Sequence, residues 1–419
     1  MKNLLYIGAF MLAVLVGAAA VRAGEVDLLV DKLVEKGILT RGEAQQIITE
    51  TQEEVRREVA SMEAPGLPKW VQKMSFKGDL RLRYQWTKRE TDPGVPQVER
   101  NRGRYRLRFG VETYVVDNVS VGFGIATGDG DPRSTNQTFT NSFEKPSVRW
   151  DYAYAKYSPA DWITFIGGKM QNPLWRPTDL VWDGDITPEG GAVNFKHGIY
   201  DNLDFYINSG IFVLDESAGD EADPLLYAIQ PGFKWKPMDK VVWNTAGVFY
   251  GTSGVKGKIL NHSAGTNKRR PNGGAGGLEY NYDTIGISSE IAFENLFDLN
   301  LPRLAFVGEY YNNIDVSDED CAWIIGVKIG DSKVGKKGQW KMKYLYRWLE
   351  QDAVLDILPD SDAYGGATGV RGHEVALEYA LLDNVIMGLD YYHMEPIHKN
   401  SGGHRNAEDL FQADILFKF

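Results

Sequence analysis

The stretch from Asp409 to Phe419 reads D-L-F-Q-A-D-I-L-F-K-F, and its reading decides the fold. Phe411, Ile415, Phe417 and Phe419 fall on one face of an extended segment, while Gln412, Asp414 and Lys418 fall on the other. That is the period of two of a strand whose faces meet different surroundings. Terminal strands of soluble chains usually fray into polar residues, whereas the last residue here is an aromatic in phase with the apolar face.

The same period runs back to Lys73. Phe76, Leu80, Leu82, Tyr84 and Trp86 alternate with Lys77, Asp79, Arg81, Arg83 and Gln85, and Tyr105, Leu107, Phe109 and Val111 with Arg104, Arg106, Arg108 and Glu112. Trp340, Met342, Tyr344, Tyr346 and Trp348 alternate with Lys341, Lys343 and Arg347. These runs approach roughly ten residues, longer than the ~5 to 6 of a soluble sandwich strand. The connections alternate in length as well. Short turns at Asp117-Asn118, Ser158 to Asp161, Gly198 to Asn202, Pro237 to Lys240, Asn295 to Pro302, Gly330 to Gly338 and Leu382 to Asn384 separate long polar loops. Those loops include Arg89 to Asn101, Gly128 to Ser147, Gln171 to Glu189, Gly251 to Leu278 and Gln351 to Gly369. The pattern predicts an all-β fold over 69–419, a transmembrane antiparallel β-barrel of about sixteen strands with apolar side chains facing lipid and ionic ones facing a wet interior.

Composition agrees with one large barrel. The 419 residues include 45 Gly, 21 Tyr, 18 Phe and 11 Trp, and no Pro- or Ser-rich linker divides the chain after Pro68. A single cysteine, Cys321, cannot form an intrachain disulfide. The net charge is -11, and no nucleic-acid partner is expected.

The N-terminal stretch differs. Lys2 precedes an apolar run from Leu4 to Val21, and Val21-Arg22-Ala23 offers a cleavage position, so residues 1–23 read as a signal peptide. Residues 24–68 read as a helical periplasmic arm and linker: Leu28, Leu29, Leu33 and Val34 keep helical spacing, Gly37 stops a first helix, and Thr40 with Glu43 caps a second. Its narrow stripe of Ala44, Ile47, Ile48, Val55 and Val59 suits a coiled coil or docking on peptidoglycan or a periplasmic partner. A structural tether gripping that partner is the rival to transport.

An Arg on the lipid face near the midplane costs about 2 to 4 kcal/mol, so Arg81, Arg83, Arg104, Arg106 and Arg108 are expected to line the interior as a basic ladder, extended by Lys341, Lys343 and Arg347. The third long loop, Gln171 to Glu189, follows the fifth strand and brings Asp179, Asp183, Asp185 and Glu189. Folded inward, it would set carboxylates against guanidinium groups and a transverse field between them. The alternative is that the arginines only neutralise Asp79, Glu112 and Asp151 and sort no solute.

Other signals carry less. Gly122-Phe123-Gly124 lacks the spacing of a dinucleotide loop, and Asp129-Gly130-Asp131 and Asp183-Gly184-Asp185 do not continue as Ca²⁺ loops. His393, His398 and His404 are scattered in a polar loop, and Lys256, Lys258, Lys268, Arg269 and Arg270 suit lipopolysaccharide phosphate or plain solvation. No metal, cofactor or catalytic grouping is expected, and the protein is not read as an enzyme.

The aromatic ending at Phe419 resembles the C-terminal signature of bacterial outer-membrane barrels, in which the last strand closes against the first. The chain also resembles the bacterial putative porin family, in Leu28-Leu29-Val30-Asp31-Lys32-Leu33-Val34-Glu35-Lys36-Gly37-Ile38-Leu39-Thr40, Gly168-Lys169-Met170-Gln171-Asn172-Pro173-Leu174-Trp175, Trp182-Asp183-Gly184-Asp185-Ile186-Thr187-Pro188-Glu189-Gly190 and Gln230-Pro231-Gly232-Phe233-Lys234-Trp235. The resemblance implies a barrel in the outer membrane of a Gram-negative bacterium, in contact with lipid and lipopolysaccharide, passing small hydrophilic solutes or ions by diffusion. An anion-selective, phosphate-like channel is the alternative within transport. A homotrimer is the assembly expected by analogy with general porins.

Overall fold

The computed structural model describes residues 68–91, 97–216, 218–219, 222–270, 276–295, 301–398 and 406–419. Two compact units are distinguished, Met1–Gln72 and Lys73–Phe419. In the first, Lys69–Gln72 form a single helical turn, α1. The expected signal peptide and the expected helical arm, up to residue 67, lie outside the described residues.

The second unit is one sheet. Its strands are β1 (Ser75–Arg89), β2 (Val98–Val116), β3 (Val119–Ala126), β4 (Gln137–Thr138), β5 (Arg149–Ala160), β6 (Ile163–Lys169), β7 (Glu189–Tyr200), β8 (Leu203–Val213) and β9 (Leu225–Met238). They continue as β10 (Val241–Ser253), β11 (Thr284–Glu294), β12 (Arg303–Asn313), β13 (Cys321–Gly330), β14 (Trp340–Leu349), β15 (Val370–Leu382), β16 (Val385–Pro396) and β17 (Glu408–Lys418). Apart from the two-residue β4, sixteen long strands each pair antiparallel with their chain neighbours. β17 returns to β1 in a register running from Asp79 opposite Lys418 to Arg89 opposite Glu408. Phe419 extends that pairing, its N–H donating to the Gly78 carbonyl at 3.0 Å and its carbonyl accepting from the Gly78 N–H at 2.7 Å. The ring is closed and, among the described residues, leaves no long strand edge unpaired, which is how an all-β chain satisfies its backbone inside lipid.

Apart from residues 296–300, which lie outside the described residues, the short turns lie within a few residues of their sequence positions, and Asn384 takes the left-handed conformation (φ 62°) that a tight turn needs. All of them share one rim. Long connections, among them 170–188 and 350–369, share the other. On the outer face Leu82, Phe123, Phe165, Ile229, Ile287, Phe306 and Ile325 are exposed, far more apolar surface than water tolerates. Exposed aromatics gather toward strand ends, with Trp162, Tyr200 and Trp235 at the short-turn rim and Trp150, Tyr227 and Tyr310 toward the other. A lipid-facing band between two aromatic girdles has this form.

The interior departs from the expectation of an ionic lining throughout. Arg83, Gln85, Arg106 and Gln412 are buried on β1, β2 and β17. Across the ring the buried apolar residues are Phe212 on β8, Leu226 on β9, Val248 and Tyr250 on β10, Val307 on β12, Ile324 on β13, and Leu345 and Leu349 on β14, interleaved with buried polar ones, among them Gln230 on β9, Ser288 on β11, Glu309 on β12 and Arg347 on β14. The apolar ones form one cluster with Leu180, Val181 and Trp182 of loop 170–188 and Val354, Leu355, Ile357 and Leu358 of loop 350–369. Two loops fold into the barrel, and the wall carries an apolar patch where their Leu and Val side chains rest, because a dry contact needs apolar atoms on both sides.

Candidate functional site

Loop 170–188 leaves and rejoins the barrel through a tight neck. Gly168 lies opposite Gly190, and the Met170 N–H donates to the Pro188 carbonyl at 2.9 Å. Gly168 has φ +114°, and a Cβ there would stand 2.4 Å from the Ala153 carbonyl oxygen, so only glycine fits. Beyond the neck, Gln230 clasps the backbone of one residue on both sides: its Oε1 accepts from the Trp175 N–H at 2.8 Å and its Nε2 donates to the Trp175 carbonyl at 2.7 Å. Lys328 donates to the Pro177 carbonyl at 2.6 Å, and the Thr178 hydroxyl donates to Glu309. Leu180 then sits fully buried in the apolar cluster.

Loop 350–369 is fastened as thoroughly. The Asp356 carboxylate accepts from the Ser263 hydroxyl at 2.8 Å and from the backbone N–H groups of Thr266 at 2.7 Å and Asn267 at 3.2 Å. Asp352 accepts from the Tyr282 hydroxyl at 2.7 Å, and Arg133 donates to the Asp356 carbonyl at 3.0 Å. The two inward loops touch, with the Ser361 N–H donating to Asp183 at 2.8 Å and the Asp183 N–H to the Leu358 carbonyl at 2.7 Å. Sequence reasoning treated this second loop as a plain polar connection. Its signal was the pairing of Val354-Leu355 and Ile357-Leu358 with Asp352, Asp356, Asp360 and Asp362, which a solvated loop has no reason to carry.

The arginines of β1 and β2 meet carboxylates from several directions. Arg83 forms a two-pronged bond to Asp414, with Nε and Nη2 each 2.8 Å from an oxygen, and also reaches Asp362 at 3.1 Å. Arg106 and Arg108 share Asp79, at 2.7 and 2.9 Å, and Arg108 extends to Asp185 of loop 170–188 at 3.2 Å. Arg81 donates to Asn136 at 2.6 Å and lies 3.7 Å from Asp414. Arg104 donates to Gln85 at 3.0 Å. Among the described residues Arg102 and Arg104 have no carboxylate within ion-pair distance, and the Nε atoms of Arg81, Arg102 and Arg104 are buried without a partner.

The four acids read from loop 171–189 separate. Asp185 joins the arginines and also accepts from the Thr135 N–H at 3.2 Å and its hydroxyl at 3.0 Å. Burial alone would raise its pKa, but Arg106, Arg108 and Arg81 hold it below the ordinary carboxylate range. Asp183, bound to loop 350–369, is pushed up to about 7 by burial and then by Asp185. Asp179 lies across the barrel beside Arg347 at 3.1 Å, and Glu189 pairs with Lys169 at 3.0 Å.

Lys341, Lys343 and Arg347 stand apart from the β1–β2 group. Lys341 pairs with Glu378 at 2.7 Å, and Lys343 with Glu374. Arg347, 1 % exposed, reaches Asp179, Asp360 and Glu374 at 3.1 to 3.2 Å. Those three carboxylates have metal-ligand spacing, but the guanidinium stands where a cation would. A second such group is Asp320, Cys321 and Glu350, where the Glu350 carboxylate accepts from the Cys321 N–H at 2.8 Å. Of the three scattered histidines near the last loop, His393 pairs with Asp409 at 2.7 Å, while His404 lies outside the described residues.

One side of the interior thus carries closely spaced guanidinium groups facing loop carboxylates. Comparison with solved structures returns a mutant of the Rh. blastica porin at 11 % identity and TM-score 0.46, over 83 % of this chain and 100 % of that one. It also returns Salmonella typhi OmpF in complex with daunomycin, at 12 % identity and TM-score 0.47, over 83 % of this chain and 97 % of that one. No curated protein matches the chain. The model of the family described as "Putative porin" matches residues 86–274 and 278–419, most of the sequence, and the chain belongs to that family.

Proposed function

We propose that the protein is a passive porin of the outer membrane of a Gram-negative bacterium. Small hydrophilic solutes and ions would cross it along the side of the barrel where the arginines of β1 and β2 face Asp185 and Asp362. The observation that carries this reading is the bridge from Arg108 to Asp185, which sets an inward-loop carboxylate against a row of guanidinium groups. Oppositely charged rims favour dipolar and charged solutes over apolar ones of equal size. Residues 1–23 as a signal peptide and 24–68 as a periplasmic arm belong to the same proposal, as does contact with lipid and lipopolysaccharide.

A second reading, anion selectivity, is favoured by Arg102 and Arg104, whose charge meets no described carboxylate at ion-pair distance. One experiment tests both. The purified protein in a planar bilayer is expected to conduct in discrete steps, and its absence of conductance would sink the porin reading. Reversal potential in a KCl gradient then gives the sign of selectivity. Arg104→Glu should shift the permeability ratio several-fold toward K⁺, and an unchanged ratio would remove this row from any role in selecting ions.

A further inference from the structure

The wall from β6 to β10 carries a second polar site, on the short-turn side of loop 170–188. A cavity of about 320 Å³ opens there, at the lower end of the range for small-ligand sites. Trp175 of the loop lines it together with Asn194, Tyr206, Asn208, Lys234 and Asn244. Three amides fix the tryptophan in place. Asn194 Nδ2 donates to the Pro173 carbonyl at 3.1 Å and to Asn208 Oδ1 at 2.6 Å, Asn208 Nδ2 donates to Gln230 Oε1 at 3.0 Å, and the buried Gln230 clasps the Trp175 backbone. The cradle is therefore preorganised.

Several donors of the cavity wall face its open space with no acceptor from the described residues. The Tyr206 hydroxyl donates to Asn244 Oδ1 at 2.9 Å, which leaves the Asn244 Nδ2 hydrogens unspent. At the mouth, Lys196 and Asp204 satisfy each other at 3.1 Å, and Asp161 stands exposed in its turn. Lys234 has no carboxylate within ion-pair distance among the described residues, and the Trp175 indole N–H has no acceptor among them. Three donor groups that face the cavity and are bonded to no acceptor among the described residues are available to a ligand rich in acceptor oxygens. The ammonium makes one of those oxygens anionic, and the indole suits a ring with an apolar face.

We propose that this cavity is a subsite for a carboxylated sugar, with the carboxylate on Lys234, hydroxyls on Asn244 and Asn194, and the ring against Trp175. It rests on the porin reading only for the ligand's route of entry. Titration of the detergent-solubilised full chain with D-glucuronate by calorimetry should give saturable binding, at least tenfold tighter than D-glucose. Lys234→Gln and Asn244→Leu should each weaken it tenfold or more, with heat-modifiable gel mobility showing that both barrels are folded, and Trp175→Phe should weaken it less. No saturable binding, equal affinity for glucose, or binding unaffected in a folded Lys234→Gln protein would overturn the subsite. Bilayer conductance separates the two claims: a conducting barrel without binding overturns only the subsite, and a binding barrel without conductance only the porin reading.

Discussion

The wall built from β1, β2 and β17 and the wall built from β8 to β14 share one alternation and end in different interiors. The first is almost wholly polar, and the second is apolar with a few charged residues interleaved, such as Arg347 and Glu309. On the first, Arg83, 5 % exposed, is held by Asp414 and Asp362, and Arg106 by Asp79. On the second, Phe212, Val248, Ile324 and Leu345 point into a dry cluster with Leu180 and Leu355. The difference teaches that a period of two states which side of the sheet a residue takes and says nothing of what it will meet there. What it meets is set by the inward loops. One loop serves both walls: Leu180 is buried against the apolar side and, a few residues on, Asp185 bonds Arg108 on the basic side.

Breaking the dry half should have the largest effect. Leu180→Asp puts a second carboxylate into an apolar cluster beside Asp179, whose partner Arg347 is already shared with Asp360 and Glu374, and an uncompensated buried charge costs about 3 to 5 kcal/mol. Loop 170–188 is expected to leave the wall, seen as proteolytic cleavage within it while the barrel keeps its folded gel mobility. Resistance equal to that of the parent protein would contradict the dry packing. Gly168→Ala strikes the neck that both halves depend on. With a positive φ and a carbonyl oxygen 2.4 Å from the new Cβ, it should lower stability by about 1 to 3 kcal/mol in urea unfolding. An unshifted midpoint would show that the neck relaxes freely.

The subtlest comparison lies between two acids of the same loop, and pH separates them. Asp183 has a raised pKa of about 7, so the folded state holds a proton that the unfolded chain releases above about pH 4. Its contribution therefore disfavours folding increasingly as pH rises from about 4 to 7. Asp185 is depressed, so its stabilisation is present above the ordinary carboxylate value and is lost as pH falls through the lower folded one. Asp183→Asn should flatten the fall in Tm between about pH 4 and 7, and Asp185→Asn should lessen the loss below about pH 4. Identical profiles for the two variants would mean that the loop carboxyls do not sit in the two environments described.

Much of the barrel was legible from residues alone. The alternation at Phe76 to Trp86 and the phase of Phe411 to Phe419 gave strand faces, and the turns at 117–118 and 383–384 gave strand boundaries, because each is a local property of a pleated chain. The candidate site was legible in part. Arg83, Arg106 and Arg108 are set on their face by that same local rule, and the energetics of charge in lipid sends such a face inward. Their partners could not be read, since Arg83 meets Asp414 and Asp362, 331 and 279 residues away in the chain.

Sequence by itself determined the period, the alternation of short and long connections and the family to which the chain belongs. Only the tertiary structure decided that Asp183, Asp185 and Asp179 go to three different neighbours, that loop 350–369 fills the interior beside the third long loop, and that Lys343 and Arg347 are enclosed by Glu374, Asp360 and Asp179. The physical reason is one of range. Backbone pleating and turn chemistry act over a few residues, whereas desolvation and ion pairing act on whatever the closed ring brings together.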